Sequence, residues 1–269
     1  MSCHLWRRIS LIPQDPTRQL QSMPTAGPPT VGQLRQLIIE TELDPQRRER
    51  LFEPFWGPRA LVVRKLTDAV LRFVVSEWKS LQGARVLDYG CGSMPYYRIL
   101  SSAGAYVIGA DIGPNQKAHI QISDQGGLPI ANESFDYVVS FQVLEHVATP
   151  HVYLIEANRI LKPNGKLFLT THGTWPYHPT PGDYHRWTKD GLIYEMKKAG
   201  FDICSIDSIL NEYSAALQLF VMTGDYRRVW RRCRKLVHLV TNLIIWALEQ
   251  RRGPSPQLPA ILCVLGIKI

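Results

Sequence analysis

The sequence predicts an α/β fold: a three-layer sandwich on a mostly parallel seven-stranded sheet, with an N-terminal helical arm and a helical insertion before the last strand. Three observations point there. Four apolar runs of strand length, at 84–89, 105–110, 135–140 and 166–171, alternate with helix- or turn-like segments, as strands joined by crossover helices do. Ahead of them Leu61, Val62, Leu66, Ala69, Val70, Phe73, Val74 and Trp78 recur at helical spacing, with Arg64, Lys65, Asp68, Arg72 and Ser76 opposite, which makes a helix with one face to bury. Directly after the first run stand Gly90 and Gly92, two apart, where a strand must turn sharply into a helix-compatible segment.

The remaining elements follow in order. Residues 1–30 hold Pro13, Pro16, Pro24, Pro28 and Pro29 with little apolar periodicity and suit an irregular arm, and 31–50 suits a short helix. The prolines of 54–58 close that arm, so 1–57 is set apart from a core of 58–209, with Pro58 suited to a first helical turn. A weaker strand is available at 118–122, where His119 and Gln121 interrupt the apolar pattern; a helix at 189–199 precedes a strand at 201–209. The helical pattern of 213–252 makes 210–256 an insertion capping the sheet, and 257–269 supplies the final core strand.

Composition bounds the function classes. The 269 residues are 45% hydrophobic and 20% charged, ordinary for a folded chain rather than a disordered one. The five cysteines, Cys3, Cys91, Cys204, Cys233 and Cys263, lie far apart and form no zinc-type cluster; a reducing, cytoplasmic setting is expected, with no metal. The apolar run of the first residues breaks at Pro13 before reaching signal-peptide length. The net charge of +8 is local: Arg227, Arg228, Arg231, Arg232, Arg234 and Lys235 supply six positive charges.

The chemistry-bearing residues begin with ARVLDYGCG from Ala84, a buried strand ending near Asp88 and a glycine bend. Glycines let a backbone approach a ligand closely, and the following helix start offers unpaired N–H groups. A dinucleotide fingerprint would want a third glycine where Pro95 stands, which weakens a nicotinamide reading. Asp111 ends the next apolar run, 23 residues after Asp88, and is either a ribose ligand or a helix N-cap. Then SDQGGLPIANESFDYVVSFQVLEHV, from Ser123, sets Asp124 four positions before Leu-Pro, SFD at a strand start and LEH just beyond that strand.

With VLDYGCG before it and RILKPNGKLFLTT after it, this stretch resembles the class I S-adenosylmethionine-dependent methyltransferases of the small-molecule, bacterial type, over roughly 84–206. The resemblance implies a Rossmann-like methyltransferase fold and S-adenosylmethionine as cofactor. It implies that Gly90, Cys91 and Gly92 form the turn under the methionine part, with Asp88 orienting the turn or the amino group. Asp111, with Ile112 beside it, would bind the ribose, Asp124 the adenine amino group, and the backbone around Phe141 and Gln142 would complete the methionine pocket. The family often has another glycine where Met94 stands, so the pocket mouth is expected to differ here. Lys162 belongs to a turn and is expected to be structural.

Methyl transfer from a sulfonium is an in-line displacement that depends on alignment and needs no metal. A hydroxyl acceptor needs a general base, for which histidine has the suited pKa. His146, just past the strand beside the cofactor, is the first candidate. His172, His178 and His185 share a proline-broken loop with Asp183, Tyr184 and Arg186, beyond the carboxyl end of a central strand where ligands bind; His178 and His185 join His146 as candidate catalytic residues, and Thr188 is the expected N-cap of the next helix. Each histidine has a plain alternative as a strand cap or a solvated loop residue.

In the insertion, the six basic residues precede LVHLVTNLIIWAL, thirteen residues where a span needs about 20. Residues 227–248 are thus either a helix packed on the core with a solvated arginine face, or a peripheral contact with an anionic membrane. The expected function is methyl transfer to a small molecule, with a glycan or lipid-linked saccharide preferred as acceptor. The rivals are a nucleic-acid methyltransferase using the arginines as a phosphate clamp, disfavoured because FQVLEH stands where a base-amine motif would, and a noncatalytic cofactor-binding module, disfavoured by the intact Asp88, Gly90, Gly92, Asp111 and Asp124 set.

Overall fold

In the computed structural model, which describes residues 27–123, 127–223, 232–255 and 257–269, the apolar runs become the strands of one sheet. They are β1 (Arg85–Tyr89), β2 (Tyr106–Asp111), β3 (Ile120–Gln121), β4 (Phe135–Phe141), β5 (Leu161–His172), β6 (Phe201–Ile209) and β7 (Ile261–Lys268). Their order across the sheet is β3-β2-β1-β4-β5-β7-β6. All pairs are parallel except those of β7, which runs antiparallel between β5 and β6. Chain order reverses between β1 and β4, so the crevice beyond their carboxyl ends is the place such a sheet offers a ligand.

Alternation along the strands divides the interior into two layers. Val86, Tyr137, Val139 and Phe168 pack under α3 (Ala60–Ser76) and α5 (Tyr97–Ser102), with Phe73 of α3 stacked on Phe168 at 4.3 Å. Leu87, Tyr89, Val138 and Leu167 pack under α6 (Pro150–Ile160) and α7 (Lys189–Lys198). Trp78, expected on the apolar face predicted for α3, lies beyond the helix end and is half-buried; the rest of that face is buried from Leu61 to Val74, and so are Thr67 and Leu71 outside it. The reason is a further cover: α1 (Val31–Thr41) packs on α3 and ties Arg35 to Asp68.

The expected single helix of 31–50 is two. Thr30 opens α1 with a capping box through Gln33; after a break, Asp44 caps α2 (Pro45–Leu51) by accepting from Gln46 and Arg47 N–H, with Pro45 in the first turn. The short helix α4 (Trp78–Leu81) leads into β1. The weak strand expected at 118–122 shrinks to β3, and His119 explains its polarity: its Nδ1 accepts from Gly109 N–H at 2.9 Å while its own N–H donates to Gly109 O at 2.8 Å. β5 starts earlier than its apolar run, at Leu161. The expected turn at 162–165 appears as a register shift in the β4–β5 pairing, and Lys162 Nζ donates to Asp136 Oδ1 at 2.7 Å.

The insertion supplies α8 (Glu212–Thr223) and α9 (Arg234–Arg252). It leaves β6 and returns to β7 at the carboxyl edge of the parallel strands, where Gly173 and Thr174 N–H donate to Ala260 O and Pro259 O at 3.0 and 2.8 Å. The loop after β5 and the insertion therefore share one edge. Of the basic run, Arg227, Arg228 and Arg231 lie outside the described residues, as do residues 1–26.

Candidate active site

At the end of β1 the chain must reverse within a few residues, and Gly90 (φ +81°) and Gly92 (φ +50°) do this in the left-handed region. A Cβ on Gly90 would stand 2.5 Å from Val143 Cγ2, whereas one on Gly92 would meet nothing within 4 Å, so the bend is packed on one side and open on the other. Gly90 and Cys91 N–H both donate to Ala110 O, at 2.8 and 3.0 Å, and Gly92 N–H donates to Asp111 Oδ2 at 3.0 Å. Asn115 Nδ2 joins Asp111 Oδ2 (2.6 Å) to Gly92 O (2.8 Å). Asp111 thus caps the glycine bend and no helix, which removes the N-cap alternative; its Oδ1 also accepts from the N–H of the half-exposed Ile112 at 2.9 Å.

Two features of this bend escape sequence reasoning. Met94 adopts φ +54°, in the left-handed region that favours glycine, while its side chain is buried. It fits because β2 carries Gly109 opposite, where a Cβ would stand 2.8 Å from Cys91 Sγ and 3.0 Å from Met94 Sδ. The other is the arm: Arg47 Nε of α2 donates to Ser93 O at 3.2 Å, its guanidinium lies 5.0 Å over Tyr97, and Lys117 pairs with the α2 cap Asp44. The N-terminal helices close over the glycine bend.

Asp88 sits at the root of the bend, 1% exposed, and its Oδ2 has no hydrogen-bond partner among the described residues. Burial, with the Asp111 carboxylate nearby, pushes its pKa up to about 7. The folded state therefore binds a proton that the unfolded chain releases near pH 4, and stability falls as pH rises from about 4 to about 7. We expect Asp88→Asn to raise the urea midpoint at pH 8 and to leave it nearly unchanged at pH 4, with denaturation at the two pH values as the check.

Beyond β4, Gln142 takes φ +57° and is held by Thr170, whose O accepts its N–H at 2.9 Å and whose Oγ1 accepts from Nε2 at 3.0 Å. Phe141 packs its ring against Tyr96 at 4.3 Å. The LEH triplet forms a short turn, Leu144–His146, that buries Glu145 completely. Thr171 Oγ1 donates to Glu145 Oε2 at 2.7 Å, and His172 Nδ1 and His146 Nε2 lie 3.0 and 3.9 Å from Oε1. Glu145 O also accepts the N–H of Tyr184 and His185, at 2.9 and 3.2 Å, and pins the loop after β5.

Burial pushes Glu145 up and His172 down, the latter to about 3 with help from Arg186 and the neighbouring histidines. Burial thus disfavours the charged form of both. His172, expected in the loop, belongs to the end of β5, 4% exposed and stacked on Trp175 at 4.6 Å. His178 faces His146 at 5.2 Å and His172 at 6.2 Å, and burial lowers its proton affinity. His146 Nδ1 contacts Gly182 O, which only accepts, so Nδ1 carries a proton and, in the neutral ring, Nε2 is the acceptor. Arg186 staples the loop: it pairs with Asp183, which it holds down to about 2, and donates to the carbonyls of Trp175 and Pro176 at 3.0 and 2.8 Å.

The structure thus gathers Asp88, Gly90, Cys91, Gly92 and Asp111 at one bend and His146, His172 and His178 around Glu145, which sequence reasoning left inside the LEH triplet without a role. His185 turns toward Trp187, 5.3 Å between rings. Asp124 lies outside the described residues; its neighbours Gln121, Ile122, Ser123, Gly127, Leu128 and Pro129 line a cleft of about 600 Å³. Thr188 caps α7 as expected, accepting from Gly191 N–H. Among the described residues no group of three or more His, Cys, Asp and Glu is placed to hold a metal ion.

Comparison with known proteins bears on the family and the fold. A methyltransferase-domain family matches residues 58–206. A ubiquinone biosynthesis O-methyltransferase of Cereibacter sphaeroides is 32% identical over 154 residues, 45% of this chain and 61% of the relative; one of Histophilus somni is 27% identical over 152 residues, 48% and 64%. The chain therefore spans less than two thirds of these relatives. The solved (4+2)-cyclase SpnF superimposes with a TM-score of 0.52 at 18% identity, over 90% of this chain and 98% of that one, a likeness of fold alone, since one fold hosts different reactions. By the match over more than half its length, the chain belongs to the methyltransferase-domain family, and with it to the class I S-adenosylmethionine-dependent methyltransferases that its motifs resemble.

Proposed function

We propose that the protein transfers the methyl group of S-adenosylmethionine to a hydroxyl of a small-molecule acceptor. The observation that carries this is the pairing of two half-sites across the β1–β4 switch point: a glycine bend clasped by Asp111, and a histidine cluster built on Glu145. The residues present fit the cofactor. Asp88 Oδ2 is a buried acceptor in want of a donor, and Gly92 leaves open the space that a side chain would fill. Gly90, Cys91 and Gly92 would hold the methionine part with Asp88, Asp111 and Ile112 would hold the ribose side, Asp124 the adenine, and Phe141 and Gln142 the far wall. When bound, the cofactor supplies an activated methyl carbon on a sulfonium.

The chain's own part is alignment and proton removal. In the neutral ring His146 would keep Nδ1–H on Gly182 O and leave Nε2 to accept the acceptor's proton. His172, held neutral beneath His178, would support the cluster from below, and His178 and His185 would be the further groups on the acceptor side. The relatives' names, ubiquinone biosynthesis O-methyltransferases, support oxygen as the methylated atom. A lipid-linked saccharide or other glycan remains our acceptor class, with peripheral membrane contact through residues 227–248 as the way such an acceptor is reached.

A screen of hydroxyl acceptors with radiolabelled methyl donor tests the reading. His146→Ala should bind the donor as the wild type does and turn over at least about 100-fold more slowly, the worth of a general base. Equal loss of donor affinity in this variant and in Asp111→Ala would remove His146 from the acceptor side.

A further inference from the structure

An amphipathic helix on a folded core normally turns its apolar stripe inward. α9 does the reverse. Its inward face is mostly polar, with Ile245 its one fully buried apolar side chain: His238 Nδ1 meets Trp56 O at 3.0 Å, Asn242 Nδ2 donates to Phe55 O and Gly57 O at 2.6 and 2.9 Å, and Glu249 pairs with Lys65 at 2.8 Å while accepting from Asn211 N–H. Its outward face carries Leu236, Leu239, Val240, Leu243, Ile244 and Trp246, with Leu236 59% and Trp246 52% exposed. A contiguous apolar stripe of this kind marks a contact surface.

The charges on the same helix choose the occupant. Glu249 is its only acid and faces inward; Arg234 and Lys235 stand exposed at its start and Arg251 at its end. At the start, Trp56, Arg234, Lys235 and His238 share a groove of about 370 Å³ that adjoins the apolar stripe. A second copy of this chain meets the face badly, because both helix ends are basic and either antiparallel or parallel pairing sets cation against cation. An anionic lipid surface answers both features, taking the apolar side chains below its headgroups and the basic ends at its phosphates. No described helix is long and apolar enough to cross a membrane, so the contact is a lying one.

We propose that the outward face of α9, with the basic groove at its start, docks on an anionic lipid surface. The insertion leaves and rejoins the sheet at the edge that carries the loop after β5, so docking brings the acceptor side of the pocket to the membrane. The proposal rests on the membrane contact in the functional reading above and not on methyl transfer itself.

The test is co-sedimentation of the full chain with phosphatidylcholine vesicles, with and without phosphatidylglycerol, alongside titration with S-adenosylhomocysteine. The wild type should pellet with the anionic vesicles, stay in solution with the neutral ones, and be released by salt. Leu243→Glu with Trp246→Glu should stay in solution, and Arg234→Ser with Lys235→Ser should partition about thirtyfold more weakly, the worth of two basic residues near an anionic surface. All four positions are exposed, so unchanged titration in the variants reports an intact fold. A wild type that stays in solution with anionic vesicles, a Leu243→Glu/Trp246→Glu variant that pellets undiminished, or a dimer split by that variant would overturn the docking. Failed pelleting with intact titration refutes docking alone; failed titration with intact pelleting refutes the methyltransferase reading alone.

Discussion

Gly90→Ala should lower stability by about 2–5 kcal/mol, with Gly92→Ala costing no more than about 2. Both glycines sit at positive φ, where a Cβ costs about 1–2 kcal/mol. At Gly90 the new methyl also falls 2.5 Å from Val143 Cγ2, and overpacking of that kind adds about 1–3 kcal/mol. Urea denaturation of the two variants measures the difference. Adding Val143→Ala should recover part of the loss in Gly90→Ala and none in Gly92→Ala, because only the first pair shares a contact. Equal destabilisation at both positions would mean that conformation alone, and not the closeness of β1 to the turn after β4, makes Gly90 necessary.

Asp111→Ala should weaken S-adenosylmethionine binding about 100-fold or more while leaving the fold intact. A carboxylate that accepts from two ribose hydroxyls loses two charge-assisted hydrogen bonds on truncation, each worth about 1.5–3 kcal/mol. The same substitution frees Gly92 N–H and Asn115 Nδ2, so the bend loses its clasp along with the ligand. Asp111→Asn keeps the shape and should fall between the two. Calorimetric titration of the three proteins checks the order; wild-type affinity in Asp111→Ala would place the ribose elsewhere.

What was legible in the sequence is what needs a distinctive residue type. A sharp bend after β1 favours glycine and a polar clasp at the end of β2 favours an acid, so Gly90, Gly92 and Asp111 stand out; the strands do likewise through their apolar runs. Gly109, and the way Met94 packs against it, did not, because the reason is a contact between neighbouring strands and the bend, which no local pattern records. Glu145 lay in plain sight inside LEH, yet its role depends on His172 arriving from β5. His172 itself reads as a loop residue until the strand is seen to extend to it.

α9 shows a different limit. The sequence left it either packed on the core or lying on a membrane, and did not show that the carbonyls of Phe55, Trp56 and Gly57 take their donors from His238 and Asn242. An unpaired buried carbonyl costs about 1–3 kcal/mol, so the helix turns its donors toward these three. The stripe is left outside as a consequence.

Calorimetric titration of the wild-type chain with S-adenosylhomocysteine is the most direct trial of a cofactor pocket at the β1 bend. One molecule should bind per chain, with affinity falling as pH drops below about 7 and Asp88 takes up its proton. No heat of binding at neutral pH, or binding that Asp111→Ala leaves untouched, would contradict it.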